Sequence, residues 1–256
     1  MRTLGAAVLL VAVFATPAVA QEKSTDADQA SPPITESSSP GPFQKLFTTL
    51  VRDIKRLPSK ENARLALNGT TFALAAYPFD EVTTLGASSS HVLKAGFSGW
   101  GKALGREWVQ GGVALATYFG GKVLDRPSLA AAGGDLIEAQ LLSVTLTQSL
   151  KFAVSRTRPD GEARSFPSGH ASAAFATAAV LHEHFGRRVA IPVYAIAVYT
   201  SASRLQANSH YPTDVIIGST LGLIVGRTAT IDMAGARFQV SPAPVAGGAM
   251  VVVAKR

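Results

Sequence analysis

Three short clusters between residues 151 and 214 carry most of the side chains able to do chemistry. The first pairs Lys151 with Arg158-Pro159, straddling the end of an apolar helical pattern (Leu141, Leu142, Val144, Leu146, Leu150). The second is Pro167-Ser168-Gly169-His170, opening a run of small residues from Ala171. The third is Ser203-Arg204, then His210 and Asp214 around Pro212. A guanidinium is costly to bury without an anion, and its planar fork matches phosphate oxygens. Ser168 reads as a helix N-cap and Gly169 as a point of close backbone approach; free N–H groups at a helix start form an anion site. His210 precedes a helix that Pro212 favours, and Asp214 in its first turn reaches back to one ring nitrogen. That contact fixes the tautomer and leaves the other nitrogen as a nucleophile. His170, at the start of the other helix, can protonate a leaving oxygen. Together these groups describe phosphoryl transfer through a phosphohistidine, with no metal or other cofactor required.

Taken singly, each group has a bland reading: a solvated helix-end cation, an ordinary cap, a surface His–Asp pair. The bland readings do not explain the joint spacing. The clusters K-x6-RP, PSGH and SR-x5-H-x3-D resemble the three signatures of the type 2 phosphatidic acid phosphatase/vanadium haloperoxidase superfamily, and all eleven specified positions match. The resemblance implies an all-α helical bundle. It implies that Lys151, Arg158, Arg204, Ser168 and the Gly169 amide bind phosphate, with His210 as nucleophile, Asp214 as its partner and His170 as acid. The implied activity is metal-independent hydrolysis of phosphomonoesters or of lipid phosphates or diphosphates. Because the same residues bind vanadate in that superfamily, a vanadate-dependent haloperoxidase with His210 as ligand is the alternative. A non-catalytic phosphate- or lipid-binding protein is the third reading, and intact His170, His210 and Asp214 argue against it.

Other chemistry-bearing residues read less sharply. His182-Glu183-His184 places alternate residues on different sides of a helix, which disfavours a metal site. His91 stands alone in a Ser-rich stretch. Arg156 and Arg164 flank the clusters, where they either steer an anionic substrate or are merely solvated. Gly120-Gly121 and Gly133-Gly134 read as helix stops.

The elements that must position these residues read as helices: Leu65–Tyr77, Glu107–Phe119, Leu129–Val154, Ala171–Phe185, Val189–Ser203 and Thr213–Arg227. Period-two alternation is scarce, and the one β candidate is a hairpin within the last 20 residues. The chain of 256 residues is 47% apolar, which suits a folded domain, and it has no cysteine, which excludes disulfides and thiolate metal sites. Residues 1–20, with Arg2, an apolar run and Ala18-Val19-Ala20, read as a signal peptide directing export to a periplasm. Residues 21–42 are rich in Ser and Pro and read as a flexible linker. The phosphatase domain is then expected over 43–256, with its motif-bearing core at about 65–230. The net charge of +7 suggests an anionic partner without identifying one; the resemblance implies a phosphorylated lipid or small phosphoester, and no nucleic-acid partner is expected. Residues 43–57 form a basic amphipathic pattern that either lies on an inner-membrane surface or packs its apolar stripe on the domain. After the signal, the longest charge-free runs have 15 residues, shorter than an ordinary membrane span. They are expected to be buried helices of a soluble or peripherally attached bundle, although short spans embedded in the membrane remain compatible with them.

Overall fold

A computed structural model of the chain describes residues 42–80, 95–230, 238–245 and 248–255. The chain divides into two units, Met1–Pro40 and Gly41–Arg256, and every described residue belongs to the second. The expected signal peptide, the expected linker up to Gly41, and His91 lie outside the described residues.

The described helices are α1 (Pro42–Arg56), α2 (Lys60–Ala76), α3 (Ala95–Leu104), α4 (Glu107–Val123), α5 (Pro127–Val154), α6 (Gly169–Phe185), α7 (Arg187–Gln206) and α8 (Pro212–Thr230). Two antiparallel strands follow, β1 (Phe238–Val245) and β2 (Gly248–Lys255), in register Phe238↔Lys255 to Val245↔Gly248. The fold is therefore an all-α bundle with the expected C-terminal hairpin. α1 places Leu50 against the central core, joined by Leu57 just beyond its end, and buries Asp53, while Ile54 of the same apolar stripe is exposed.

α6 is the axial element, packed against α4, α5, α7 and α8. Its sequence explains the position: Ala171, Ser172, Ala173, Ala174, Ala176, Ala178 and Ala179 present small side chains all round, so neighbours can approach from every side. α8 uses the closest approach. A Cβ on Gly218 would stand 2.4 Å from the Ser168 carbonyl oxygen, and one on Gly222 would stand 2.3 Å from that of Ser172. A polar seam crosses the same interfaces. Gln140 Nε2 donates to Ala173 O (3.1 Å) and Thr177 Oγ1 (2.9 Å), and Thr177 Oγ1 donates to Gln110 Oε1 (2.6 Å).

Two expectations are corrected here. Gly120-Gly121 and Gly133-Gly134 do not stop helices but lie within α4 and α5. A Cβ on Gly121 would stand 2.2 Å from Ala130 N, and one on Gly133 would stand 2.2 Å from Tyr118 N, so both permit close crossing of α4 and α5. Nor are the apolar runs simply buried. The buried apolar residues are mostly alanine, whereas Leu67, Phe72 and Leu74 on α2, Leu115 and Phe119 on α4, and Ile191 and Val198 on α7 are exposed. Small side chains inside and large apolar ones outside reverse the usual order of a water-soluble globule. Among the described residues one helix, α5, is long and apolar enough to cross a membrane.

Gly222→Ala should cost about 1–3 kcal/mol by forcing α6 and α8 apart. Gly112→Ala, whose Cβ meets nothing within 4 Å, should be neutral or stabilising by up to about 1 kcal/mol. Thermal unfolding of the two variants checks this, and equal shifts would contradict the close-packing account.

Candidate active site

The termini of six helices, α3 to α8, meet at one end of the bundle, and this is where the motif residues gather. Lys151 sits in the last turn of α5, Gly169 and His170 open α6, Arg204 lies in the last turn of α7, and His210 precedes α8. With Arg158 from the α5–α6 connection they line one cavity of about 480 Å3. Lys102 of α3, Glu107 of α4, and Asp160, Glu162 and Arg164 of the α5–α6 connection complete its polar wall. Two expected site residues stand behind this wall. Asp214 is fully buried in the first turn of α8. Ser168, also fully buried, caps α6, its Oγ accepting from Ala171 N at 3.4 Å.

Burial dominates the electrostatics. Lys151 is pushed down to about 8 by burial and by Arg158, and its Nζ donates to the carbonyl oxygen of Arg164 at 2.8 Å. Arg204 is buried, with its Nε lacking a hydrogen-bond partner. Arg158 pairs with Glu162 Oε2 at 2.7 Å through Nη1, while its Nε is likewise unpartnered. Such buried donors, aimed at a common cavity, are what an anion would satisfy. His170 is pushed down to about 3 by burial and then by Arg204, His210 and Lys151, so it is neutral at pH 7; its Nε2 is buried without a partner.

His210 is also held low by burial. Its Nδ1 lies 3.6 Å from Asp214 Oδ2 and 3.5 Å from Ser165 Oγ. The first distance is an ion-pair contact rather than a full hydrogen bond. It orients the ring and leaves Nε2 as the nitrogen free to react. Burial alone would raise the Asp214 carboxyl. The close contact with His210 and hydrogen bonds from Ser165 and Tyr211 N, with the charge of Arg156, outweigh it and hold Asp214 below the ordinary carboxylate range.

Sequence reasoning missed several of these neighbours. Ser165, which donates to Asp214 Oδ2, lies only three residues before Ser168, and its burial was not visible. Asp80, just beyond the 3-10 turn Tyr77–Phe79 that follows α2, is buried and accepts from Thr213 N at 3.0 Å; nothing in the sequence links two positions so far apart. Glu107 lines the cavity and was read only as a helix start. Arg164 is placed with its guanidinium 4.1 Å from the Phe152 ring centre, on the cavity wall. His184 sits apart from the site, pairing with Asp135 at 2.7 Å.

With this geometry in place, residues 132–237 match the family described as the PAP2 superfamily. That segment is about two-fifths of the chain. The helices of the chain resemble the crystal structure of Aquifex aeolicus LpxE with a TM-score of 0.50 and 26% identity, over 58% of this chain and 92% of that one. A lipid A 1-phosphatase of Porphyromonas gingivalis is 40% identical over 80 residues, which are 30% of this chain and 18% of the relative. A lipid A 4′-phosphatase of Helicobacter pylori is 33% identical over 100 residues, 34% of this chain and 50% of the relative. The chain thus spans half or less of the length of these two curated relatives.

The two depressed histidines make a pH prediction. As pH falls below about 6.5 the unfolded chain binds protons that the folded site refuses. Stability from these groups is therefore full above about 6.5 and is lost on acidification, by up to about 1.4 kcal/mol per pH unit for each proton. Urea midpoints should fall from pH 7 to pH 4.5, and fall less in His170→Gln. A His170→Gln profile identical to that of the parent protein would contradict the assignment.

Proposed function

We propose that the protein is a lipid phosphate phosphatase working through a phosphohistidine. The observation that carries this reading is the convergence of Lys151, Arg158, Gly169, His170, Arg204 and His210 on one cavity, with Asp214 buried behind His210. In the first step His210 Nε2 attacks phosphorus and the ester P–O bond breaks. Lys151, Arg158, Arg204 and the amides at the start of α6 hold the non-bridging oxygens as charge builds on them. His170 gives its proton to the departing alkoxide oxygen. It carries that proton only when substrate is bound, because burial and then the cavity's cations depress it, and a phosphate dianion opposes both. In the second step His170, now neutral, takes a proton from water. The resulting hydroxide attacks phosphorus, the P–N bond breaks and inorganic phosphate leaves.

A lipid substrate is favoured over a soluble phosphoester by the outer surface. Trp100 and Trp108 are about 70% exposed and stand on α3 and α4 beside the cavity residues Lys102 and Glu107. Exposed Trp beside exposed Leu, Phe and Val suits a membrane–water interface. The curated relatives named for lipid A phosphatase activity support the same substrate class. Export through residues 1–20 and action in the periplasm at the inner membrane belong to this reading. So does a domain running from residue 43 to the C-terminal hairpin, with no cofactor.

Purified protein should release phosphate from a lipid phosphate in detergent with chelator present. His170→Ala should lower kcat by about 10²–10⁴, and His210→Ala should abolish both turnover and an acid-labile phosphoenzyme. A fully active His210→Ala protein would overturn the mechanism. The chain contains two tryptophans, so its indole fluorescence reports on Trp100 and Trp108 alone. Vesicles of brominated lipid should quench it, and emission indifferent to vesicles would argue for a soluble substrate.

A further inference from the structure

Arg156 is not a position that the three motifs specify, and it is absent from the cavity wall. It stands behind the His210–Asp214 pair instead. Its Nη1 donates to Asp214 Oδ1 (3.0 Å) and to Thr213 Oγ1 (2.7 Å), and its Nη2 donates to Asp80 Oδ2 (2.8 Å). The guanidinium carbon lies 3.9 Å from the centre of the Tyr211 ring. Asp80 in turn accepts from Thr213 N through Oδ1 and from Thr213 Oγ1 through Oδ2 (2.7 Å). One cation therefore ties the turn after α2 to the start of α8 and compensates two buried carboxylates at once.

This arrangement divides the work of the Asp214 carboxylate. Oδ1 is taken by Arg156, while Oδ2 accepts from Tyr211 N (2.9 Å) and Ser165 Oγ and faces His210 Nδ1. A carboxylate turns about its last torsion in a broad, roughly two-fold well, so burial alone does not fix which oxygen faces the imidazole. A charge-assisted hydrogen bond from Arg156 Nη1 to the opposite oxygen, Oδ1, does. Two carboxylates approaching one another without a cation would also drive one of them to bind a proton, and a protonated Asp214 would orient His210 less firmly.

We propose that Arg156 is a positioning residue for phosphoryl transfer, holding Asp214 in the orientation that sets the tautomer of His210, with Asp80 as the anchor that holds Arg156. The proposal rests on the phosphohistidine reading and makes Arg156 part of that same site. It differs from a substrate-steering role, because a residue outside the cavity acts on turnover and not on capture of the anion.

The test compares Arg156→Met, Arg156→Lys and Asp80→Asn with the parent protein in detergent, using a lipid phosphate as substrate and inorganic phosphate as ligand. Expected for Arg156→Met is a kcat lowered about 10- to 100-fold, with KM and phosphate affinity within about threefold. Arg156→Lys should recover part of the loss, and Asp80→Asn should lower kcat in the same direction but by less. A second readout needs no turnover: 15N-histidine spectra of the parent protein should show His210 as one tautomer, and those of Arg156→Met or Asp80→Asn a mixture. Where Arg156→Met fails to fold, the near-isosteric Asp80→Asn carries both measurements. Raised KM with unchanged kcat would overturn the proposal in favour of steering, and an unchanged tautomer would overturn it outright. Failure of the phosphatase reading is seen separately, in the parent protein's lack of turnover, while the tautomer spectra still decide the role of Arg156.

Discussion

One fully buried carboxylate organises this end of the bundle. Asp214 accepts from Tyr211 N and Ser165, pairs with Arg156, faces His210, and offers its backbone carbonyl to Ser168 N at 2.9 Å. These partners come from the segments before α6 and before α8, so the carboxylate cannot be satisfied unless both helix starts are side by side. Gly218 makes that approach possible, since any side chain there would collide with the Ser168 carbonyl. An isolated buried carboxylate would be untenable, and each contact that rescues it also fixes a piece of the site.

The cavity in front of Asp214 has the opposite problem. Lys151, Arg158 and Arg204 converge there with His170 and His210, and among the described residues only Glu162 is drawn into an ion pair with any of the three cations. Burial first, and then the neighbouring cations, depress Lys151 and His170. On the proposed mechanism bound phosphate would relieve this tension and re-arm His170 as an acid. Stability and ligand affinity would then be opposed at the site, since the crowded buried cations are the groups proposed to hold the anion.

The three clusters were legible because chemistry constrains residue type and spacing within short stretches. Six of the expected residues reach one cavity, and Asp214 stands behind His210 as its spacing implied. What stayed hidden depends on contacts between distant positions. Asp80 meets Thr213 and Arg156 only because the turn after α2 lies where α8 begins. α3 escaped notice because Ala95–Leu104 carries three glycines, which weaken a helical reading. It is held against α7 instead, Gly101 close to Ser203, with Gly105 just beyond its end close to Thr200. The glycine pairs of α4 and α5 were misread for the same reason, since a glycine at a helix crossing looks like a glycine at a helix end until the neighbour is seen.

The distribution of side-chain size ties surface to site. A helix can bury alanine against its neighbours and still be apolar overall if its large residues face outward, and charge-free runs of 15 residues do not reveal which way they face. Here the outward residues include Trp100 and Trp108 at the end where the cavity lies. A phosphate attached to a membrane lipid is confined to the headgroup layer, at the depth where exposed tryptophans settle. On the proposed lipid-phosphatase reading, the exposed apolar faces of α2, α4 and α7 would lie against acyl chains, and the cavity would meet that layer without extracting its substrate. The same surface accounts for the large side chains left outside and the small ones within, which close packing of the helices alone does not require.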